Sequence, residues 1–168
     1  DIFVPNVSAG GGNMSEEGWE NALNVDVFGT TRGIEAAMPF LEKSDAASIV
    51  IISSTAGVET FMGPQPYNAI KGALVIHGKQ LSPALAAQGI RVNCVSPGPI
   101  YIEGGAWEFI KNNMTELYDS TLADIPRGSM GTAEEVANAV AFLASPAASL
   151  ITGVNLVADG GFTKRVQL

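Results

Sequence analysis

The sequence is poor in the features that mark three classes of protein. It contains one cysteine, Cys94, so no disulfide can form within the chain, and a reducing, cytoplasmic location is the default expectation. Lys and Arg number 9 against 17 Asp and Glu, and the net charge of −8 repels phosphate backbones, so we expect no nucleic-acid partner. The apolar runs fall far short of the ~20 residues that cross a bilayer, so we expect no membrane partner either.

The chain is rich in apolar residues. Hydrophobic residues make up 46% of the 168 positions and charged residues 15%, which is typical of a folded core and excludes general disorder. A chain of this length suits one domain, residues 1–168. Its opening run, Asp1-Ile2-Phe3-Val4, resembles a buried strand entered in mid-fold. We therefore expect the sequence to be a piece of a longer protein.

Strand and helix patterns alternate along the chain. The run 48–53 is rich in β-branched residues without alternation, which is typical of a strand covered on both faces of a parallel sheet. Ser15 is a plausible N-cap, and Thr132 with Glu135 forms a capping-box pattern. We predict strands at 2–4, 48–53, 90–95 and 153–158, helices at 16–42, 67–88, 106–118 and 132–144, and a loop at 119–131. This order predicts an α/β fold with a parallel sheet.

Tyr67 and Lys71 lie four residues apart at the start of a predicted helix, so their side chains point to the same side. A phenol has a pKa near 10, and a fixed ammonium beside it favours the phenolate, which would bring that pKa down toward neutrality. Ser54 follows the predicted strand at 48–53. Because ligands of parallel α/β sheets bind at the carboxyl ends of the strands, we expect Ser54 and Tyr67 to reach the same small-molecule oxygen.

These residues stand within a larger pattern that resembles the short-chain dehydrogenase/reductase family. The matching segments are IISSTAG at 51–57, YNAIK at 67–71, GIRVNCVSPG at 89–98, TG at 152–153 and DGG at 159–161. The resemblance covers essentially the whole chain, aligned with the C-terminal two thirds of a family member. It implies a partial Rossmann-like, doubly wound parallel sheet with family strands 4-5-6-7 and flanking helices. It also implies a small-molecule substrate, interconverted between a carbonyl and a secondary alcohol with NAD or NADP as cofactor.

The resemblance also implies roles for single residues. Tyr67 would be the general acid in carbonyl reduction and the general base in alcohol oxidation. Ser54 would hydrogen-bond the reacting oxygen, and Lys71 would hold the nicotinamide ribose and lower the pKa of the phenol. No metal is implied.

Further residues are implied to contact the cofactor. Pro97, Gly98 and Ile100 would pack near the nicotinamide, and the Ile100 backbone would meet its carboxamide. Asn6, after the first strand, would lie near the adenosine side.

The sequence departs from the family pattern in several places. The family's catalytic Asn falls at Asp26, which could keep the family's backbone contact to a relay water while adding a negative charge near Lys71; the nearby Asn24 faces another direction. The family's frequent Thr after Pro-Gly falls at Ile102, so that contact is expected to be lost or moved. The family's first strand and phosphate-binding turn have no counterpart here. Gly10-Gly11-Gly12 lacks the fingerprint spacing of such a turn and is better interpreted as a flexible wall of the site.

The sequence leaves alternatives open for the function of the chain and for the role of helix 106–118. Asp26 and the missing phosphate turn favour a non-catalytic remnant or interaction module, whereas Lys71 argues against a non-redox member of the family, because such members usually lose it. Helix 106–118 is either ordinary core or, as in the family, a substrate lid, through Trp107, Phe109, Met114 and Tyr118. By resemblance, helices 19–41 and 67–88 would form a homodimer face, and the last strand would help to build a homotetramer.

Overall fold

The computed structural model describes residues 1–11 and 13–166. Its centre is a four-stranded parallel sheet in the order β1-β2-β3-β4. The strands are β1 (Ile2–Phe3), β2 (Ser48–Ile52), β3 (Arg91–Pro97) and β4 (Asn155–Ala158). All neighbours pair in parallel, with Ile51 opposite Cys94 and Val95 opposite Leu156. The prediction of a parallel α/β sheet from these segments is confirmed, with strand ends shifted by one or two residues.

The helices follow the predicted order, except that the first long helix contains a π-helical segment and the predicted helix 106–118 breaks at Met114. In chain order, the elements between the strands are α1 (Glu16–Ala22), a π-helical segment (Leu23–Phe28), α2 (Gly29–Leu41), α3 (Pro66–Ala86), α4 (Ala106–Asn113), α5 (Thr115–Asp124) and α6 (Ala133–Ala144). The predicted helix 16–42 is continuous but contains the π-helical segment. Ser15 caps α1 by accepting from the Gly18 N–H, and the Thr132–Glu135 capping box is formed, so both cap predictions are confirmed.

The prediction of one helix at 106–118 followed by a loop at 119–131 is wrong. Met114 adopts φ −140° and ψ 53°, which is not helical, so the helix breaks there. A new helix, α5, then runs to Asp124 through the first part of the predicted loop. This helix buries only Thr121 fully, so it has little of the apolar periodicity that marks a helix in a sequence.

Two apolar clusters cover the two faces of the sheet. Ile49 and Ile51 point to one face, where residues of α2 and α3 pack, and Val50 points to the other, where Leu143 of α6 packs. Helices on both faces make the sheet doubly wound, as the family resemblance implied. Cys94 is 2% exposed within the first cluster, so it is a small core residue. In the described part of the chain no helix combines the length and apolarity needed to cross a membrane.

Helix α3 packs on the sheet at Gly78. A Cβ atom there would lie 2.5 Å from Cys94 Sγ and 3.3 Å from Ile51 Cδ1, so hydrogen is the only side chain that this approach admits. The close contact sets the distance between α3, which carries Tyr67 and Lys71, and the strands whose ends form the site.

We therefore expect Gly78→Ala to lower the free energy of unfolding by about 1–3 kcal/mol, because overpacking outweighs the better helix propensity of alanine. Urea denaturation measures the change. Gly29→Ala is the matched control, since its Cβ would approach no atom closer than 3.8 Å and should be neutral or stabilising. Combining Gly78→Ala with Cys94→Ala should recover part of the loss. A Gly78→Ala protein as stable as the Gly29→Ala protein would contradict this packing.

Candidate active site

The first turns of α3 carry Tyr67 and Lys71. The helix begins with Pro66, whose fixed φ suits the first helical position. Tyr67 and Lys71 fall on one side of the helix, with Lys71 Nζ 5.5 Å from the centroid of the Tyr67 ring. The phenol is half-buried and faces a cleft, whereas Lys71 is 3% exposed and lies behind it.

The Lys71 ammonium is fixed from two sides. Nζ donates to the Ile52 carbonyl at the end of β2, at 3.2 Å. It also lies 3.1 Å from Asp26 Oδ1, an ion pair without the alignment of a hydrogen bond. The ammonium therefore has a countercharge and one strong acceptor, and it keeps donor capacity for a further partner.

Asp26 is 1% exposed in the π-helical segment, so it is not a solvated helix residue. Its second oxygen, Oδ2, accepts a hydrogen bond at 2.8 Å from the backbone N–H of Ala9, in the glycine-rich loop after β1. The carboxylate thus joins that loop to Lys71. Single π-helical turns inside α-helices are frequent at functional sites. Asn24, two residues earlier, is exposed, which agrees with its exclusion as a substitute.

Ser54 stands directly after β2 and is 9% exposed. Its hydroxyl accepts from the Ala56 N–H at 3.2 Å and so caps the short 3-10 helix Thr55–Gly57. This short helix is pressed against α3, because a Cβ at Gly57 would lie 2.6 Å from the Lys71 carbonyl carbon. The contact fixes Ser54 relative to Tyr67 and Lys71.

The pKa of the Tyr67 phenol is raised above its ordinary value of 10.0. Burial is the largest cause, because it disfavours the phenolate, and the negative charge of Asp26 adds to the rise. The hydrogen bond with Ser54 opposes both. The prediction that this pKa falls toward neutrality is therefore wrong for this chain, because burial raises the pKa and the charge of Asp26 adds to the rise. At neutral pH the phenol keeps its proton.

A cleft of about 430 Å³ opens in front of these groups. Ser54 and Tyr67 line it on one side, and Gly98 and Pro99, which follow β3, line it on another. Gly10 and Gly11 also contribute to the lining, as expected for a wall of the site, while Gly12 lies outside the described residues. The cleft thus sits at the carboxyl ends of the strands.

The backbone beyond β3 leaves polar groups free at this edge. The Gly131 N–H donates to the Pro99 carbonyl at 2.9 Å, and the Tyr101 N–H donates to the Gly131 carbonyl at 2.9 Å. In such a parallel bridge the N–H and C=O of the intervening residue, Ile100, point away from the partner. Within residues 1–11 and 13–166 neither Ile100 group has a hydrogen-bond partner in the protein.

The remaining predicted site residues occupy different positions. Gly98 approaches the turn after β4 so closely that a Cβ would lie 2.5 Å from Asp159 Cβ, so this glycine is required for packing as well. Pro97 ends β3. Asn6 is exposed in the loop after β1 and does not line the cleft, and Ile102 is 51% exposed. No three His, Cys, Asp or Glu side chains of the described ranges converge as a metal site would require.

Two contributions to the cleft were not predicted. Asn68 donates from Nδ2 to the carbonyls of Phe61 and Gly63, at 2.9 and 3.1 Å, and so holds the loop before α3. Phe162, far along the chain, packs its ring edge-on against Phe61 with centroids 5.4 Å apart. Local spacing signals neither contact. Of the candidate lid residues, Trp107 and Phe109 line the cleft.

Comparison with known proteins identifies the family. The model of the family described as enoyl-(acyl carrier protein) reductase matches residues 2–163. The chain is 40% identical over 162 residues to isoepoxydon dehydrogenase patN from Penicillium expansum, covering 96% of this chain and 62% of that protein. It is 34% identical to the 3-oxoacyl-[acyl-carrier-protein] reductase FabG from Escherichia coli, covering 96% of this chain and 66% of that protein. The chain thus spans about 62% of the length of the first relatives that it matches.

Solved structures agree with this assignment. A short-chain dehydrogenase/reductase from Brucella melitensis superposes with a TM-score of 0.83 at 32% identity, covering 98% of this chain and 66% of that one. ElxO with NADP bound superposes with a TM-score of 0.86 at 27% identity, covering 96% and 66%. The chain belongs to the short-chain dehydrogenase/reductase family, as its motifs implied.

Because the Asp26 carboxylate raises the pKa of Tyr67, we expect Asp26→Asn to lower the pKa of that phenol. Alkaline titration of tyrosinate absorbance measures it, with Tyr67→Phe identifying the Tyr67 contribution. Asp45→Asn, at an exposed position, is the control and should leave the titration unchanged. An unchanged or raised phenol pKa in Asp26→Asn would show that the carboxylate does not act on Tyr67.

Proposed function

We propose that the protein is an NAD- or NADP-dependent oxidoreductase that interconverts a carbonyl and a secondary alcohol. The observation that carries this proposal is the convergence of the Tyr67 phenol and the Ser54 hydroxyl on one cleft, with the Lys71 ammonium fixed directly behind them. The relatives support it by their names, which are those of dehydrogenases and reductases, and ElxO has been solved with NADP.

In the reductive direction, Ser54 and Tyr67 hold the substrate's carbonyl oxygen. The carbonyl carbon gains a hydride while Tyr67 Oη gives its proton to the oxygen, so the product is a neutral alcohol. A phenol that keeps its proton at neutral pH suits this role as the acid. When bound, the reduced nicotinamide supplies the hydride. In the oxidative direction the phenolate accepts the alcohol proton, which requires a lower phenol pKa than the chain has by itself.

The residues present fit the nicotinamide end of the cofactor. Lys71 Nζ has donor capacity left for the ribose hydroxyls, and the free N–H and C=O of Ile100 suit the carboxamide. Gly98 brings the backbone to the edge of the cleft without a side chain in the way, and Pro97 precedes it at the end of β3. Asn6 lies outside the cleft and is proposed for the adenosine side. Asp26 holds Lys71 in place.

We expect Tyr67→Phe to reduce turnover by about 10²–10⁴, because general acid–base catalysis is lost while the ring and its packing remain. Carbonyl reduction followed by the absorbance of the reduced nicotinamide measures it. Tyr101→Phe is the matched control, since its hydroxyl bonds Glu108 at 3.1 Å and does not line the cleft. Unimpaired turnover in Tyr67→Phe, with normal cofactor binding, would refute the assignment of the acid.

A second candidate is a binding module of the same fold without catalysis. The Asp26–Lys71 ion pair favours it, because it engages part of the ammonium that the proposed oxidoreductase would use for the cofactor. Fluorescence of reduced nicotinamide discriminates the two: enhancement on addition of the protein supports the oxidoreductase, and failure to bind supports the module.

We also propose that the protein is a homodimer or homotetramer. Phe28 and Phe40 on the first long helix and Ile76 on α3 are 44%, 71% and 62% exposed, which is unusual for large apolar side chains without a partner. Light scattering at low concentration should report the mass of at least a dimer. Ile76→Glu should lower that mass toward the value of a monomer. Lys79→Glu, on the exposed surface of the same helix, should leave the mass unchanged. A monomer at all concentrations would exclude this assembly.

The cytoplasmic location stays a prediction.

A further inference from the structure

The part of the cleft beyond Tyr67 and Ser54 is apolar. Within the described residues its lining includes no Asp, Glu, Lys, Arg or His, although 15% of the chain is charged. Its large apolar side chains are Phe61, Met62, Trp107, Phe109, Ile110 and Phe162. The side chains able to hydrogen-bond a substrate are neutral. A carbonyl compound in this cleft therefore meets a lining that is mainly apolar, with uncharged polar side chains such as Gln65 and Asn68 beside Ser54 and Tyr67.

Aromatic rings from three separate segments form one wall. Phe61, in the loop before α3, lies between Trp107 of α4 and Phe162 of the segment after β4. The ring centroids are 6.1 Å apart for the first pair, at 36°, and 5.4 Å for the second, at 87°. Tilted and edge-on pairs at these distances are the favourable geometries, and they leave ring faces and edges available to a further ring.

Two sets of hydrogen bonds hold this wall in place relative to the phenol. Asn68, the neighbour of Tyr67, binds the Phe61 and Gly63 carbonyls. On the other side, Glu59 Oε2 accepts from the backbone N–H groups of Lys164 and Arg165, at 3.0 and 3.2 Å, which holds the segment that carries Phe162. The wall is therefore built into the structure.

Lys71, behind Tyr67, is paired with Asp26, and the two lysines on the segments that carry the wall are engaged elsewhere. Lys111 Nζ lies 5.5 Å from the centroid of the Tyr101 ring and 5.6 Å from that of Tyr118. Lys164 Nζ donates to the Asp124 carbonyl at 3.3 Å. Neither residue lines the cleft. A carboxylate or phosphate on the substrate would lose its water there without gaining a countercharge, which is strongly unfavourable.

We propose that the substrate is an uncharged ketone, or the matching secondary alcohol, whose reacting carbon is attached to an apolar ring, and that the cleft rejects carbonyl compounds that carry an anionic group. A cleft of about 430 Å³ is within the usual range for a small-molecule site. The proposal rests on the proposed function for the position of the reacting oxygen, and it adds the chemical class of the substrate.

The test compares acetophenone with 4-acetylbenzoate, which differ by one carboxylate. Their dissociation constants are measured on the intact protein by ligand-observed saturation-transfer NMR, and their reduction is measured separately with each reduced nicotinamide. We expect acetophenone to bind at least tenfold more tightly than 4-acetylbenzoate. Binding of 4-acetylbenzoate with equal or higher affinity, or no binding of acetophenone, would overturn the proposed substrate class. Binding of acetophenone without turnover would instead count against the proposed function.

A pair of variants ties the discrimination to this cleft. Met62→Lys places an ammonium at its lining and should bring the two dissociation constants closer by at least threefold. Met14→Lys is the matched control, because Met14 is similarly exposed, 52% against 46%, and lies outside the cleft. Equal effects of the two substitutions would show that the discrimination arises from the overall charge of the protein, and would contradict the proposal.

Discussion

The site depends on one buried ion pair, between Lys71 and Asp26. The ammonium and the carboxylate are almost fully buried, and their contact joins α3 to the π-helical segment. Lys71 also binds the carbonyl of Ile52 at the end of β2, and Asp26 binds the N–H of Ala9 after β1. Burying two charges is costly, so the pair adds little net stability by itself. Its effect is positional: four segments that are distant in the sequence meet around Tyr67.

The carboxylate of this pair also bears on the protonation of the phenol. Burial is the largest cause of the raised pKa of Tyr67, and the negative charge of Asp26 adds to it. For the proposed reaction the consequence is directional, because a protonated phenol can protonate a carbonyl oxygen, whereas oxidation needs the proton removed first. The position of the family's Asn thus carries a negative charge here that contributes to the raised pKa of Tyr67.

Much of this arrangement could be predicted from the sequence, because it depends on local spacing. The β-branched run of β2, the capping box at Thr132 and the four-residue spacing of Tyr67 and Lys71 are each set by neighbours along the chain. The break at Met114 and the π-helical turn could not be predicted, since neither leaves a mark in the local pattern of apolar and polar residues. The direction of the pKa of Tyr67 could not be predicted for a related reason: spacing places the ammonium, but only the fold shows that the phenol is largely buried and lies near the charge of Asp26.

The aromatic wall is divided among segments that do not carry the buried ion pair. Phe61, Trp107 and Phe162 belong to a loop, to α4 and to the segment after β4, whereas Lys71 and Asp26 belong to the helices behind the cleft. Substitution of one ring reshapes the space offered to a molecule and leaves the Lys71–Asp26 pair in place. Over evolutionary time, such a division lets a lineage alter the shape of this space by small steps while the charged groups behind it are kept.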